Sequence, residues 1–242
     1  MNILATAQAS SVRPTRPLQS LRHLEGFKII ATDGEIGKVH DFFFDDDSWL
    51  VRYLVVDIGH WLPRRKLLLP AVVLRPLDAE GGSLSVSLTR ARVCASPGVD
   101  TDMPVSRRRE LEMHMHYDWP FHWGGVDGWV GPVPPIEPIE PPQPPPGSDD
   151  AGNVHLRSVR EMIGYQVESA DGPVGTLHDF LADDNTWAIR HFIVNTGRWF
   201  PHRQVAISPG SVAGTISWSE KRFTLHAKRE DLVNLRDLAS KS

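Results

Sequence analysis

The chain has a single cysteine, Cys94, among its 242 residues, so it cannot form an intramolecular disulfide. One cysteine also excludes a CxxC redox motif and a cysteine-rich zinc site. Both absences are typical of a reducing compartment, and we therefore expect a cytoplasmic protein.

The sequence also lacks an excess of charge and a long apolar run. Its 26 basic and 30 acidic residues give a net charge of −4 and are interspersed, which predicts no basic face for nucleic acid. No stretch approaches the roughly 18 consecutive apolar residues of a membrane span. Residues 1–17 lack the charged start and apolar run of a secretory signal, and they are predicted to be a disordered tail.

What the sequence does contain is an internal repeat. A shift of 138 residues aligns Leu18 with Leu156 and continues without a gap to Leu69 and Ile207. Many positions in this window are identical, and we assign structural roles to those at turns and strand centres: Gly34, Gly37, Asp41, Arg52, Gly59, Gly172, Gly175, Asp179, Arg190 and Gly197. The chain is therefore predicted to consist of two similar units.

Each unit has the sequence features of small β structure. Short apolar strands precede an Asp-Gly pair, Asp33-Gly34 or Asp171-Gly172, which indicates a hairpin. Further short strands and glycine turns follow at regular spacing, which favours a closed or nearly closed barrel. The predicted fold is mainly β, with two small β-barrels in tandem.

A proline-rich stretch lies between the two units, at 131–150. Such composition favours a stiff spacer, although it also suits a docking ligand. The predicted boundaries are a tail at 1–17, a first barrel at 18–95, a helix and aromatic segment at 96–130, the linker at 131–153, a second barrel at 154–236 and a tail at 237–242. The helix is predicted at 106–117, where Leu111 and Met115 recur at helical spacing.

The repeated motif resembles the PRC-barrel family, which is named for the cytoplasmic domain of the photosynthetic reaction centre H subunit. The residues that carry the resemblance are Gly34-x-x-Gly37, His40-Asp41-Phe42 and the run from Trp49 to Arg65. Both copies match, so the resemblance implies two tandem PRC-barrel domains. It further implies a barrel that holds other proteins, and it implies no catalytic residues.

Several repeated polar residues are candidates for a catalytic or ligand-binding role. In His40-Asp41 and His178-Asp179, neighbouring side chains on a strand point to opposite faces, so we expect one residue to cap or tie the hairpin and the other to be exposed. The aspartates at 45–47 are predicted to form a turn. Arg52 and Arg190, each within an apolar strand, are predicted to pair with Asp41 and Asp179 or else to bind a ligand.

The candidate metal ligands are His116 and His122, together with His114. If 106–117 is helical, His114 and His116 lie on different faces and do not share an ion. A metal site is therefore the less favoured interpretation, and no cofactor is expected.

The candidate interface lies at the Gly-x-Trp-x-Pro corner of each unit. Tryptophan and arginine are enriched among residues that dominate binding energy, and this corner supplies Trp61, Pro63, Arg65, Trp199, Pro201 and Arg203. The sequence predicts a bacterial-type, non-catalytic adaptor or structural protein whose two surfaces are set apart by the proline spacer. The protein partner is unidentified, and a homo-oligomer stays open. The alternatives are a ribosome-associated or RNA-processing factor, like a maturation factor that carries a related barrel, and a histidine-based metal-binding protein.

Overall fold

The computed structural model describes residues 17–59, 65–75, 82–95, 98–99, 156–196, 204–213, 216–226 and 228. The predicted helix at 106–117, the three histidines and the proline-rich linker lie outside these residues. Most of the predicted corner residues also lie outside them, namely Trp61, Pro63, Gly197, Trp199, Pro201 and Arg203.

The described residues form short strands with a few single-turn helices. The first half contains β1 (Gln19–Ser20), α1 (Leu21–Leu24), β2 (Lys28–Ala31), β3 (Gly34–Asp45), β4 (Leu50–Asp57), β5 (Lys66–Pro70), β6 (Ser83–Ser85), α2 (Arg90–Cys94) and β7 (Gly98–Val99). The second half contains β8 (Leu156–Ser158), α3 (Val159–Met162), β9 (Gln166–Ser169), β10 (Gly172–Ala182), β11 (Ile189–Asn195), β12 (Gln204–Ile207) and β13 (Arg222–Thr224). Short 3-10 turns follow β5 and β12, at Ala71–Val73 and Pro209–Ser211. The fold is mainly β, as predicted.

The predicted hairpins are present in both halves. Ala31 pairs with Gly34, and Ser169 pairs with Gly172, so each loop has two residues and the glycine begins the second strand. Gly34 has a φ of 134° and Gly172 a φ of 127°, which side chains other than that of glycine rarely adopt. The Asp-Gly signal therefore located the turns correctly.

The strands form two sheets with the same internal order. In the first sheet the path is β6-β2-β3-β4-β5-β7, and in the second it is β12-β11-β10-β9-β13. The parallel pairs are β2 with β6 and β9 with β13, and the other pairs are antiparallel. Single bridges, Leu74 with Val86 and Val212 with Leu225, bring the chain after β5 or β12 back to the parallel strand. Each sheet thus curls on itself, but the described strands do not form a continuous ladder closed into a barrel.

Each half also contributes a strand to the other half. β1 of the first half pairs with β10, and β8 of the second half pairs with β3. The turns that precede β4 and β11 are joined as well, because Val51 N donates to Trp187 O at 2.9 Å and Ile189 N donates to Trp49 O at 2.8 Å. The contacts are reciprocal, so the halves are related by an approximate twofold axis.

The two sheets share one hydrophobic core. Side chains of both halves belong to the same buried cluster. Aromatic rings meet across the boundary, with Phe44 and Phe180 5.6 Å apart and Trp49 and Phe192 5.0 Å apart. The expectation of two surfaces held apart by the proline spacer is therefore wrong, because the described parts of the halves are packed directly against each other.

Close backbone packing explains the repeated glycine inside the second strand of each hairpin. A Cβ atom on Gly37 would overlap Asp57 O, and one on Gly175 would overlap Asn195 O. Because both obstructing atoms belong to the backbone of a paired strand, a small side-chain movement cannot relieve the overlap.

We expect Gly175→Ala to lower the free energy of unfolding by about 2 kcal/mol, the usual range for overpacking. The control is Gly210→Ala in the same half, where the nearest atom to an added Cβ is the Ser208 side chain at 3.7 Å. Urea unfolding of both variants measures the effect. Equal stabilities would contradict the packing argument.

Candidate functional site: the contact between the two halves

A buried carboxylate of each half holds the start of a helix that belongs to the other half. Asp41, with 6% of its surface exposed, accepts hydrogen bonds from Ser158 Oγ at 2.5 Å, from Arg160 N at 3.1 Å and from Phe42 N at 2.7 Å. Ser158 is the N-cap of α3, and its Oγ accepts a hydrogen bond from Glu161 N. Asp41 and Ser158 together satisfy amide groups at the N-terminus of α3 that have no partner within the helix.

The same arrangement occurs on the other side of the axis. Asp179 accepts hydrogen bonds from Ser20 Oγ at 2.5 Å, from Arg22 N at 3.1 Å and from Phe180 N at 2.7 Å. Ser20 is the N-cap of α1. The two contacts agree in all three distances, so the interaction is part of the repeated design, and the cross-half bonds join residues 117 or more positions apart.

A β-bulge places these aspartates. In the pairing of β3 with β4, Val39 faces Val56 while Asp41 faces Val55, so His40 is an extra residue. His178 is the extra residue in the corresponding position of β10. Bulges redirect side chains, and here the bulge breaks the strict alternation of faces assumed from the sequence. The aspartate is buried and the histidine is half-buried. The aspartate caps a helix of the other half and not its own hairpin, so this part of the expectation is wrong.

The bulged histidines contact arginines across the same boundary. Arg22 Nη1 donates to His178 Nδ1 at 2.8 Å, and Arg160 Nη1 donates to His40 Nδ1 at 3.3 Å. Each histidine nitrogen acts as an acceptor in this geometry, because guanidinium groups only donate. Each Ser-x-Arg segment therefore contacts both members of the His-Asp pair.

The electrostatics of the site follow from burial. Burial raises the pKa of Asp41 above its usual value, although the hydrogen bonds from Ser158, Arg160 and Phe42 oppose the shift. Burial also raises the pKa of Glu25, which lies among the charges of Arg160, Asp41, Arg22 and Asp179. The Asp41 carboxylate is held by hydrogen-bond donors of the protein itself, as a structural role requires.

The predicted pairing of Arg52 with Asp41 is wrong. Among the described residues Arg52 Nη2 contacts Ser48 Oγ at 3.4 Å, and its charge acts on Asp45. Arg190 likewise acts on Asp183 and does not contact Asp179. The physical reason is that the aspartates after the bulge point into the contact between the halves.

The aspartate-rich turns bind their own backbone, as the sequence predicted. Asp45 Oδ1 accepts hydrogen bonds from Ser48 N and Ser48 Oγ, both at 2.7 Å. Burial by itself would raise the pKa of Asp45, but these bonds lower it overall. At Asp183, the hydrogen bond from Thr186 N is the main cause of the lowered pKa. Both turns end in a tryptophan with a φ of 57°, Trp49 or Trp187.

The part of the predicted corner that the structure describes comprises Gly59 and Arg65. Gly59 N donates to Asp57 Oδ1 at 2.8 Å, and Ile58 N donates to Arg65 O at 3.2 Å, so the two strands remain paired up to the corner. The remaining corner residues lie outside the described residues, and their interface role stays a prediction.

The sequence reasoning missed the Ser-x-Arg segments, Ser20-Leu21-Arg22 and Ser158-Val159-Arg160. Their serine and arginine recur at the same shift of 138 residues, so the signal was present. A serine that follows an extended residue and precedes an apolar one is also a typical helix N-cap. Neither signal says which half contains the aspartate that completes the cap.

The comparison with family models bears on the first half. Residues 19–89 match the PRC-barrel domain. The PRC-barrel match contains Asp41, Arg52 and the Ser20-x-Arg22 segment, and it ends at Thr89, the N-cap of α2. No curated protein matches the chain. Within the described part of the chain, no helix has the length and hydropathy needed to cross a membrane.

Proposed function

We propose that the chain is a non-catalytic adaptor of the PRC-barrel type, in which both halves are PRC-barrel domains and together bind another protein. The observation that carries this proposal is the pair of reciprocal contacts that join the two halves. The ionisable groups at the centre of the contact, Asp41 and Asp179, cap helices of the opposite half.

The second PRC-barrel assignment is supported by the common order and register of the two sheets. β10 pairs with β9 and β11 just as β3 pairs with β2 and β4, with bulges at the same positions. The equivalence extends to β1 and β8, the strands that each half contributes to the sheet of the other half.

In this proposal the shared core sets the distance between the two predicted contact corners, at 59–65 and 197–203. A packed core gives a smaller range of separations than a linker, so two weak contacts would gain more from being joined. The partner would then present two matching sites. A cytoplasmic location for this interaction remains an expectation, based on the single cysteine.

The test is affinity capture from native lysate with the wild type, Trp61→Ala, Trp199→Ala and the double variant. If both corners bind, each single substitution should remove most of the captured protein, because the gain from joining two contacts is lost. Val72→Ala is the control, since Val72 is 78% exposed and belongs to the 3-10 turn after β5, outside both predicted corner segments. Unfolding midpoints would show that the variants remain folded.

Two outcomes would contradict the proposal. Capture of nothing above background by the wild type would count against an adaptor. Identical capture by the wild type and the double variant would show that the contact surface lies elsewhere.

A further inference from the structure

The contact between the halves contains residues that have no counterpart across the axis. Asp41, Asp179, Arg22 and Arg160 form symmetric pairs. Glu25 does not, because the equivalent position at the end of α3 is Ile163, which packs against the shared core.

Glu25 lies close to the approximate twofold axis. Gly26, the next residue, donates its N–H to Val39 O at 2.9 Å, two residues before Asp41, and Arg22 N, three residues earlier, donates to Asp179 Oδ1 of the other half at 3.1 Å. Glu25 also interacts electrostatically with Arg160, Asp41, Arg22 and Asp179. A side chain that is near both members of two symmetric pairs must be near the axis that relates them. Its symmetry equivalent, Ile163 in this chain, therefore occupies the same region.

Pairing of two first halves would bring two Glu25 side chains into this region. The present contact has three carboxylates, those of Glu25, Asp41 and Asp179, beside two guanidinium groups. Two first halves would place four carboxylates beside two arginines. Half-buried like charges repel strongly, so this arrangement opposes self-pairing of the first half.

A second asymmetric contact favours the unlike half. Arg157 Nε donates to Asp46 Oδ2 at 2.8 Å, and its guanidinium lies 4.0 Å from the ring centroid of Trp218. The equivalent residue of the first half is Gln19, whose amide donates to Pro17 O. When the facing half is a second half, this position supplies the cation of Arg157 to Asp46. When the facing half is a first half, the same position supplies only the neutral Gln19.

We propose that Glu25 and Arg157 make this interface selective, so that the first half binds the second half of its own chain or of a second copy and does not bind another first half. The interface is then a recognition surface for the second half, and in the structure the second half of the same chain occupies it. This inference is independent of the adaptor role, since it concerns which halves pair.

The experiment uses the full chain with a specific protease site inserted within 131–150. Chains with a tag before residue 17 are mixed with untagged chains labelled with nitrogen-15, so that mass distinguishes both halves of the two populations. The mixture is cut and allowed to equilibrate, and the tagged first half is captured. We expect it to carry second halves from both populations and at least about tenfold less untagged first half, which corresponds to about 1.4 kcal/mol of selectivity.

Glu25→Ile places the second-half residue in the first half and should raise the captured untagged first half by about tenfold. Glu25→Gln, which removes only the charge, should act in the same direction. Glu35→Ile is the matched control, because this exposed carboxylate of the same half pairs with Lys28 away from the contact.

Three results would overturn the proposal. The first is that the cut halves separate on dilution. The second is that the wild-type first half captures first and second halves equally. The third is that neither Glu25 variant changes the captured species.

Discussion

Replacing Asp41 with alanine is expected to lower the free energy of unfolding of the whole chain by about 3 kcal/mol, although the substitution lies in the first half. Asp41 accepts three hydrogen bonds in a buried site, and two of the donors belong to the second half. Alanine leaves Ser158 Oγ and the amides of Arg160 and Phe42 without an acceptor. The cost of buried, unpaired donors adds to the loss of the bonds themselves.

Urea unfolding followed by tryptophan fluorescence measures this effect. Because the halves share a core, we expect one transition that moves to lower urea as a unit. Glu35→Ala is the control, since its ion pair with Lys28 is exposed and should contribute less than about 1 kcal/mol. Two transitions, of which one is unchanged, would contradict the shared core.

A double-mutant cycle isolates the contact across the boundary. Ser158→Ala removes one donor to Asp41 and should cost about 1 kcal/mol by itself. In the Asp41→Ala background the same change should cost less, because its acceptor is already absent and only the cap on Glu161 N is lost. Additive losses would show that the two side chains do not interact in solution.

The pH dependence of this site has a definite sign. The raised pKa of Asp41 means that the folded chain binds the proton more tightly than the unfolded chain, in which the pKa is near 3.8. The stability from this difference is complete below the unfolded pKa and is lost as pH rises through the folded pKa. Asp41→Asn does not titrate, so the advantage of the wild type over this variant should shrink as the pH rises above the unfolded pKa of about 4. An advantage that grows over this range would contradict the effect of burial.

The elements of each half were predictable because their signals are local. Asp33-Gly34 and Asp171-Gly172 located both hairpins, and the repeated apolar segments located the long strands. The repeat itself predicted that the two halves would have the same strand order. These features depend on turn chemistry and on the period of two along a strand, which a sequence displays directly.

The exchange of strands between halves was not predictable in the same way. Ser20 and Ser158 stand in the same Leu-x-Ser-x-Arg pattern, so this pattern alone allows either aspartate to complete either cap. Which one does so depends on how the two sheets pack. The role of Asp41 also depends on the bulge at His40, which a count of alternating positions does not reveal. The wrong pairing of Arg52 with Asp41 followed from that missed bulge.

The last prediction concerns two tryptophans that the repeat treats as equivalent. Trp187 is 4% exposed and stacks on Phe42 of the first half, with ring centroids 6.1 Å apart. Trp49 is half-buried and packs against Phe44 and Phe192.

Trp187→Ala should therefore lower the free energy of unfolding by about 4 kcal/mol, within the usual range for a buried aromatic side chain. Trp49→Ala should cost about half as much, because truncating a half-buried side chain removes less packing. Alanine at φ 57° is as strained as tryptophan, so relief of backbone strain does not offset either loss.

Val72→Ala, at a side chain 78% exposed, should change the stability by less than about 0.5 kcal/mol. Since Trp187 contacts the opposite half, its loss should weaken both sheets together, and urea unfolding monitored by circular dichroism measures this. Equal costs for the two tryptophans would mean that the halves pack symmetrically at this turn, and a small cost for Trp187 would mean that its ring is not part of the shared core.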